Sequence, residues 1–359
     1  MSHPPPGGPP YPPQQPPWPR QQWSVGPPPK KRGNGWKWAL GAVALLAVIG
    51  VTVAVTISVT KNDGSDDSNS SANTFGLASA DDKGPANIIT EDPTCAAWTP
   101  INQKLANVTK AGWNDRDPSI AATDWTPEQR TLHIEAGKAM REAADQTVQL
   151  AKTTPHRVIR GLYEQFIAYA RAYDAAILTY KPADNHLAGV VTASAAALSN
   201  LCAAVSYGSA QARDPFLPTP QAPSVFPQLT DPGNPQPFLS AEDSQCEGWN
   251  RLLQQYDSNS AVGAWKGLDA RIPAGSWNPT QQAVVDAVSS VMSRYADDLE
   301  DLGRASANPT FQDLAVLAAQ YRRAYVSALP TYGPADSYLS RTSAMTASMV
   351  YEACEAAGA

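Results

Sequence analysis

Beyond residue 94 the apolar positions recur with a helical period, and they do so twice. Leu132, Ala136, Ala139, Met140, Ala143 and Leu150 fall on one face of a helix that opens at Trp125-Thr126-Pro127-Glu128. There Thr126 suits the N-cap, Pro127 the first helical position and Glu128 the positive end of the dipole. A shorter helix is expected before it, from Ile101 to Ala111. A third follows Thr154-Pro155, with Val158, Ile159, Leu162, Phe166, Ala170 and Ile177 on one face. It ends at Tyr180-Lys181, because Pro182 disfavours the helical conformation of its predecessor. A fourth, dominated by small residues, runs from about Ala183 to Val205. No run alternates apolar and polar positions over strand length between hairpin turns.

Shifting the chain by about 152 residues brings a second set of landmarks onto the first. Cys95-Ala-Ala-Trp98 falls on Cys246-Glu-Gly-Trp249, and Trp113 on Trp265. Trp125-Thr-Pro-Glu-Gln129 falls on Trp277-Asn-Pro-Thr-Gln281, and Tyr180-Lys-Pro-Ala-Asp184 on Tyr332-Gly-Pro-Ala-Asp336. Tyr169, Arg171 and Tyr173 meet Tyr321, Arg323 and Tyr325, and Cys202 meets Cys354. The reading is all-α: two tandem repeats resembling four-helix bundles. Asp184 and Asp336 then fit caps or first-turn carboxylates of each fourth helix.

Four cysteines allow three pairings, and the repeat selects one: Cys95 with Cys202 and Cys246 with Cys354. Each repeat is then closed by one disulfide, which implies an oxidising compartment. No C-x-x-C occurs and no histidine accompanies the cysteines in both copies, so a structural role is expected over a metal or redox one.

The rest of the chain supplies the topology. Ala39 to Val59 is an uncharged apolar run of 21 residues, about 30 Å as a helix and so the thickness of a bilayer core. Trp36 and Trp38 mark its start, Lys30, Lys31, Arg32 and Lys37 precede it, and Asp63, Asp66 and Asp67 follow. The positive-inside rule sets the N-terminus in the cytoplasm and the remainder outside a plasma membrane crossed once. The run is too long and starts too late for a cleaved signal peptide. The expected organisation is a disordered proline-rich tail over 1–35, a transmembrane helix over 36–60, a flexible stalk over 61–93, repeat one over 94–208, a proline-rich linker over 209–244 and repeat two over 245–359. The first 60 residues carry five basic and no acidic side chains, which leaves a net charge of −11 beyond them. So acidic a region outside the membrane argues against nucleic acid as a partner.

The Pro-Pro-Gly-Gly-Pro-Pro-Tyr-Pro-Pro tail, the basic run, the single anchor and the alanine-rich helices resemble uncharacterised proline-rich single-pass membrane proteins of actinobacteria. That resemblance covers roughly residues 1–60. It implies a cell-envelope location and transfers no functional residues.

No nucleophile elbow, phosphate-binding loop or zinc motif is present. The duplicated Tyr169, Arg171, Tyr173, Tyr321, Arg323 and Tyr325 are candidates for a binding surface, since Tyr and Arg dominate hot spots. The opposing reading has the tyrosines capping the core and the arginines pairing with acidic neighbours. His133, His156 and His186 occur only in repeat one, where a haem- or metal-handling role is the alternative to surface drift. Duplication of a framework without any reactive group favours a non-enzymatic envelope protein, without cofactor, that binds a protein partner or a small ligand. A lipid carrier and an envelope enzyme with an unfamiliar site are the alternatives. The oligomeric state is not readable from the sequence.

Overall fold

The structure is a computed structural model that describes residues 74–358, which belong to one compact unit, Ala72–Ala359. The tail, the anchor over 36–60 and the stalk before residue 74 lie outside the described residues. Those described form ten α-helices and no strand. They are α1 (Cys95–Thr109), α2 (Pro127–Thr153), α3 (Arg157–Ala176), α4 (Asn185–Ser206), α5 (Ser209–Arg213), α6 (Cys246–Ser258), α7 (Ser260–Lys266), α8 (Pro279–Ala305), α9 (Pro309–Ala328) and α10 (Ser337–Ala356).

The duplicated sequence signals produce duplicated local structure. Thr126 and Asn278 cap α2 and α8 by accepting from the backbone N–H of Gln129 and Gln281, whose side chains accept in return, and proline opens both helices. Asp184 and Asp336 accept the backbone N–H of Lys181 and Gly333 at 2.7 and 2.9 Å, ordering the turn into α4 and α10. Helix α1 starts six residues before the expected Ile101, its first turn forming around Cys95 and the buried Trp98, with Pro100 inside it. Its counterpart is broken at Asn259, which caps α7 through the Ala261 N–H.

The disulfides are Cys95–Cys202 and Cys246–Cys354, as the repeat requires. Each ties the first helix of its copy to the last.

The copies share one core. Helices α4 and α10 lie antiparallel along their length: His186 at the start of α4 meets Glu352 near the end of α10, and Tyr207 after α4 stacks on Tyr338 at the start of α10. A Cβ on Gly189 would fall 2.2 Å from the Glu352 carboxylate, so the glycine leaves the space through which Glu352 reaches His186. Arg157 at the start of α3 and Asp313, the fifth residue of α9, form a buried, two-pronged ion pair, both contacts at 2.8 Å.

The segment leading into each copy touches both copies. The lead-in of copy one, expected to be flexible stalk, buries Leu77, Ala80, Ala86, Ile88 and Ile89, and its Ile89 N–H donates to Tyr321 of copy two. The proline-rich segment before copy two instead grips copy one. Phe238 N–H donates to Gln165 at 2.8 Å, Arg171 donates to the Gly233 carbonyl, and Leu239 is buried. Each lead-in is also pinned to its own copy by a matching aspartate. Asp92 accepts from the Thr154 hydroxyl at 2.6 Å, and Asp243 from the Ser306 hydroxyl at 2.8 Å.

By length and composition the helix over Pro182–Ser206 could cross a bilayer, but 67% of its most apolar window is buried inside the fold. Its small apolar side chains serve the contact with α10.

Candidate functional site

The six residues expected to line a binding surface do not form one. Tyr169, Tyr173, Tyr321 and Tyr325 are all buried. Tyr169 and Tyr321 sit on equivalent faces of α3 and α9, where each receives the lead-in of the opposite copy: the Tyr169 ring meets Phe238 and the Tyr321 hydroxyl meets Ile89. Tyr173 and Tyr325 accept from Trp113 and Trp265 at 3.1 and 2.9 Å. Burial pushes all four phenols well above their ordinary pKa. Arg171 and Arg323 pair with Asp145 and Asp297 at 2.8 and 2.7 Å, an ion pair also duplicated at the 152-residue shift.

The three histidines lie apart. His133 is buried, stacked on Trp125 at 3.9 Å, with Nδ1 3.0 Å from the Tyr173 hydroxyl. That hydroxyl also accepts from Trp113, and the tautomer of His133 sets the direction of its bond to the ring. Burial, with Arg116 nearby, lowers the His133 pKa to about 4 and keeps the ring neutral. His156 Nε2 lies 2.9 Å from the Glu91 carbonyl, while the hydrogen bond to Glu352 raises the His186 pKa. Among the described residues no three His, Cys, Asp or Glu side chains gather as metal ligands.

A cleft does open between α1 and α2 of copy one. Ile101, Leu105 and Val108 recur on one face of α1, opposite Ala139 and Ala143 on α2, and together they make an apolar floor. Lys104, Glu135, Lys138, Glu142 and Gln146 form the rim. Lys104 bridges the cleft to Glu142 at 2.9 Å, and Lys138 approaches the same carboxylate at 4.0 Å. Glu135 is exposed and has no ion-pair partner among the described residues. The cleft encloses about 240 Å³. That is below the roughly 300–1,000 Å³ of clefts that hold cofactors or drug-sized ligands. Its scale suits one or two side chains.

Copy two fills the equivalent place from within. Leu105 corresponds to Tyr256 at the 151-residue offset of the first helices, and Ala143 to Tyr295 at 152. Tyr256 and Tyr295 stack at 3.9 Å and 17°. The buried Arg322, where copy one has Ala170, lies 5.4 and 5.6 Å from the two rings and donates to Ser340. No carboxylate pairs with Arg322 among the described residues, so its charge faces the Ser340 hydroxyl at 3.1 Å and the two ring faces. Comparing the copies by size singles out Leu105/Tyr256 and Ala143/Tyr295, but equally Tyr163/Ala315 and Phe166/Ala318, which run the other way, so the cleft needed the structure to be found.

Residues 77–358 match the family described as "Mycobacterial ESX-1 associated protein". A relative in Mycolicibacterium smegmatis (strain MKD8), named only as an uncharacterised protein, is 47% identical over 345 residues, covering 94% of this chain and 91% of its own length. No solved structure matches the chain. The chain belongs to the mycobacterial ESX-1 associated family, whose match spans the whole helical unit.

Proposed function

We propose, with that membership as the premise, that this chain is a non-enzymatic, secretion-related envelope protein that docks a protein partner of the ESX-1 system through the α1–α2 cleft of copy one. The observation that carries this reading is the asymmetry between the copies. One framework is built twice, yet an apolar-floored, charge-rimmed cleft is open in one copy and plugged in the other. An apolar centre with a polar rim is the anatomy of a protein interface. The stalk, tail and single anchor would place the cleft outside the membrane.

The test is site-specific photocross-linking from the full chain in mycobacterial cells. A cross-linker replacing Lys138 on the rim should capture a discrete protein, and Ala143→Tyr should abolish the capture. A cross-linker at Ser290, the equivalent exposed position of copy two, should capture nothing comparable. Identical or absent products from the two positions would remove the cleft from the function.

A further inference from the structure

We infer that the α1–α2 cleft receives an aromatic side chain from a polypeptide segment that also carries a basic residue nearby. This deepens the docking role proposed above and rests on it. The first support is what the fold itself puts in the equivalent place. Copy two lays two tyrosine rings there, where copy one has Leu105 and Ala143, and sets a guanidinium behind them at the place of Ala170, which is buried and does not line the cleft. The surrounding framework is nonetheless conserved between the copies. The Trp113–Tyr173 and Trp265–Tyr325 hydrogen bonds match, as do the Arg171–Asp145 and Arg323–Asp297 ion pairs. Copy one carries Tyr163, Phe166 and Ile167 where copy two has Ala315, Ala318 and Ala319, so its core fills from α3, while the smaller Leu105 and Ala143 leave the α1–α2 surface short of two rings. The volume of about 240 Å³ and the floor of Ile101, Leu105, Val108 and Ala139 agree with that size and chemistry.

The second support is the charge at the rim. Both lysines are turned to Glu142, which leaves Glu135 as the exposed carboxylate without an ion-pair partner. A base on the incoming segment completes an ion pair with Glu135. An acid there meets Glu135, with Lys104 hydrogen-bonded to Glu142 at 2.9 Å and the exposed Lys138 standing 4.0 Å from the same carboxylate. Single surface pairs of this kind change affinity by about 2–5-fold, so charge sets preference and the ring supplies the binding.

Three small probes separate these contributions in saturation-transfer NMR on the full chain with disulfides intact. Tyramine carries the ring and a cation, 3-(4-hydroxyphenyl)propionate the same ring and an anion, and isoamylamine the cation without a ring. Tyramine should show saturation at its ring protons and bind about 2–5-fold more tightly than the propionate, with isoamylamine silent. Ala143→Tyr, which copies the plug of copy two, should remove the tyramine signal. Glu135→Gln leaves the cleft intact and should bring tyramine and the propionate to equal affinity, so it remains informative if Ala143→Tyr folds poorly. Tyramine binding that survives in folded Ala143→Tyr protein overturns the inference, as does equal binding of isoamylamine. If rim cross-linking at Lys138 captures a partner while no aromatic probe binds, the ring-and-base occupant is wrong and the docking role stands. If cross-linking fails as well, the docking role falls with it.

Discussion

Removing one hydroxyl from each copy should cost unequal amounts, although the two substitutions are chemically identical. The Tyr173 hydroxyl lies 3.1 Å from Trp113 Nε1 and 3.0 Å from His133 Nδ1, and all three side chains are buried. Tyr173→Phe therefore leaves two buried polar groups, Trp113 Nε1 and His133 Nδ1, without their partner at once. At about 1–3 kcal/mol for each unsatisfied group, the loss is about 2–6 kcal/mol. The Tyr325 hydroxyl has only Trp265 Nε1, at 2.9 Å, because position 285 is a valine. Trp265 is partly exposed and water can replace the lost acceptor, so Tyr325→Phe should cost about 1 kcal/mol. The assay is urea unfolding with the disulfides intact, read by tryptophan fluorescence, comparing variants at equal m. Placing His133→Val beneath Tyr173→Phe should bring its cost down toward that of Tyr325→Phe, since the orphaned imidazole is then gone. Equal losses from the two single variants would refute the reasoning, because they would show that the His133 contact contributes nothing beyond the shared Trp–Tyr bond.

Three further outcomes follow from the same contacts. His133 has a depressed folded pKa of about 4, so its contribution is present above about 6.5 and is lost as pH falls toward 4; His133→Val should remove about 2–3 kcal/mol from the loss of stability between pH 7 and 4.5, measured as urea midpoints. His186 shifts the other way, raised by Glu352, so its contribution is present below about 6.5 and is lost as pH rises through its folded value. His186→Gln should accordingly cost up to about 1 kcal/mol at pH 6, since the pair is partly exposed, and nothing measurable at pH 9. Replacing either cysteine pair by alanine should cost about 4–5 kcal/mol, and nearly the same for both, because the closed loops span 107 and 108 residues; a copy that loses nothing would mean that its unfolded chain is already held compact.

The elements that were legible in the sequence are those with local causes. Thr126-Pro127 and Asn278-Pro279 announce helix starts by their own chemistry, and the offset between copies fixes the disulfide partners without any three-dimensional information. The bridging lead-ins were not legible. Ile88-Ile89 and Phe238-Leu239 are short apolar pairs among Pro, Asp, Ser and Asn, with no period, and each finds its partner on the opposite copy. The same blindness turned Tyr169 and Tyr321 into surface candidates: without the lead-ins their faces of α3 and α9 would be open. The asymmetry in histidines was visible, but its meaning was not, because the stacking of His133 on Trp125 depends on tertiary packing.

The paired disulfides also set how this protein answers a pull along its chain. While they hold, the loops Cys95–Cys202 and Cys246–Cys354 cannot pay out, and at roughly 3.5 Å per residue each withholds about 370 Å of contour. Only the lead-in, the stretch from Cys202 to Cys246 and the last few residues can lengthen. Those compliant segments are themselves clamped across both copies by Arg157, Gln165 and Tyr321. Tension arriving from residue 74 would therefore load these clamps in shear before any helix of either copy unwinds, and would separate the copies while leaving each closed by its own covalent staple.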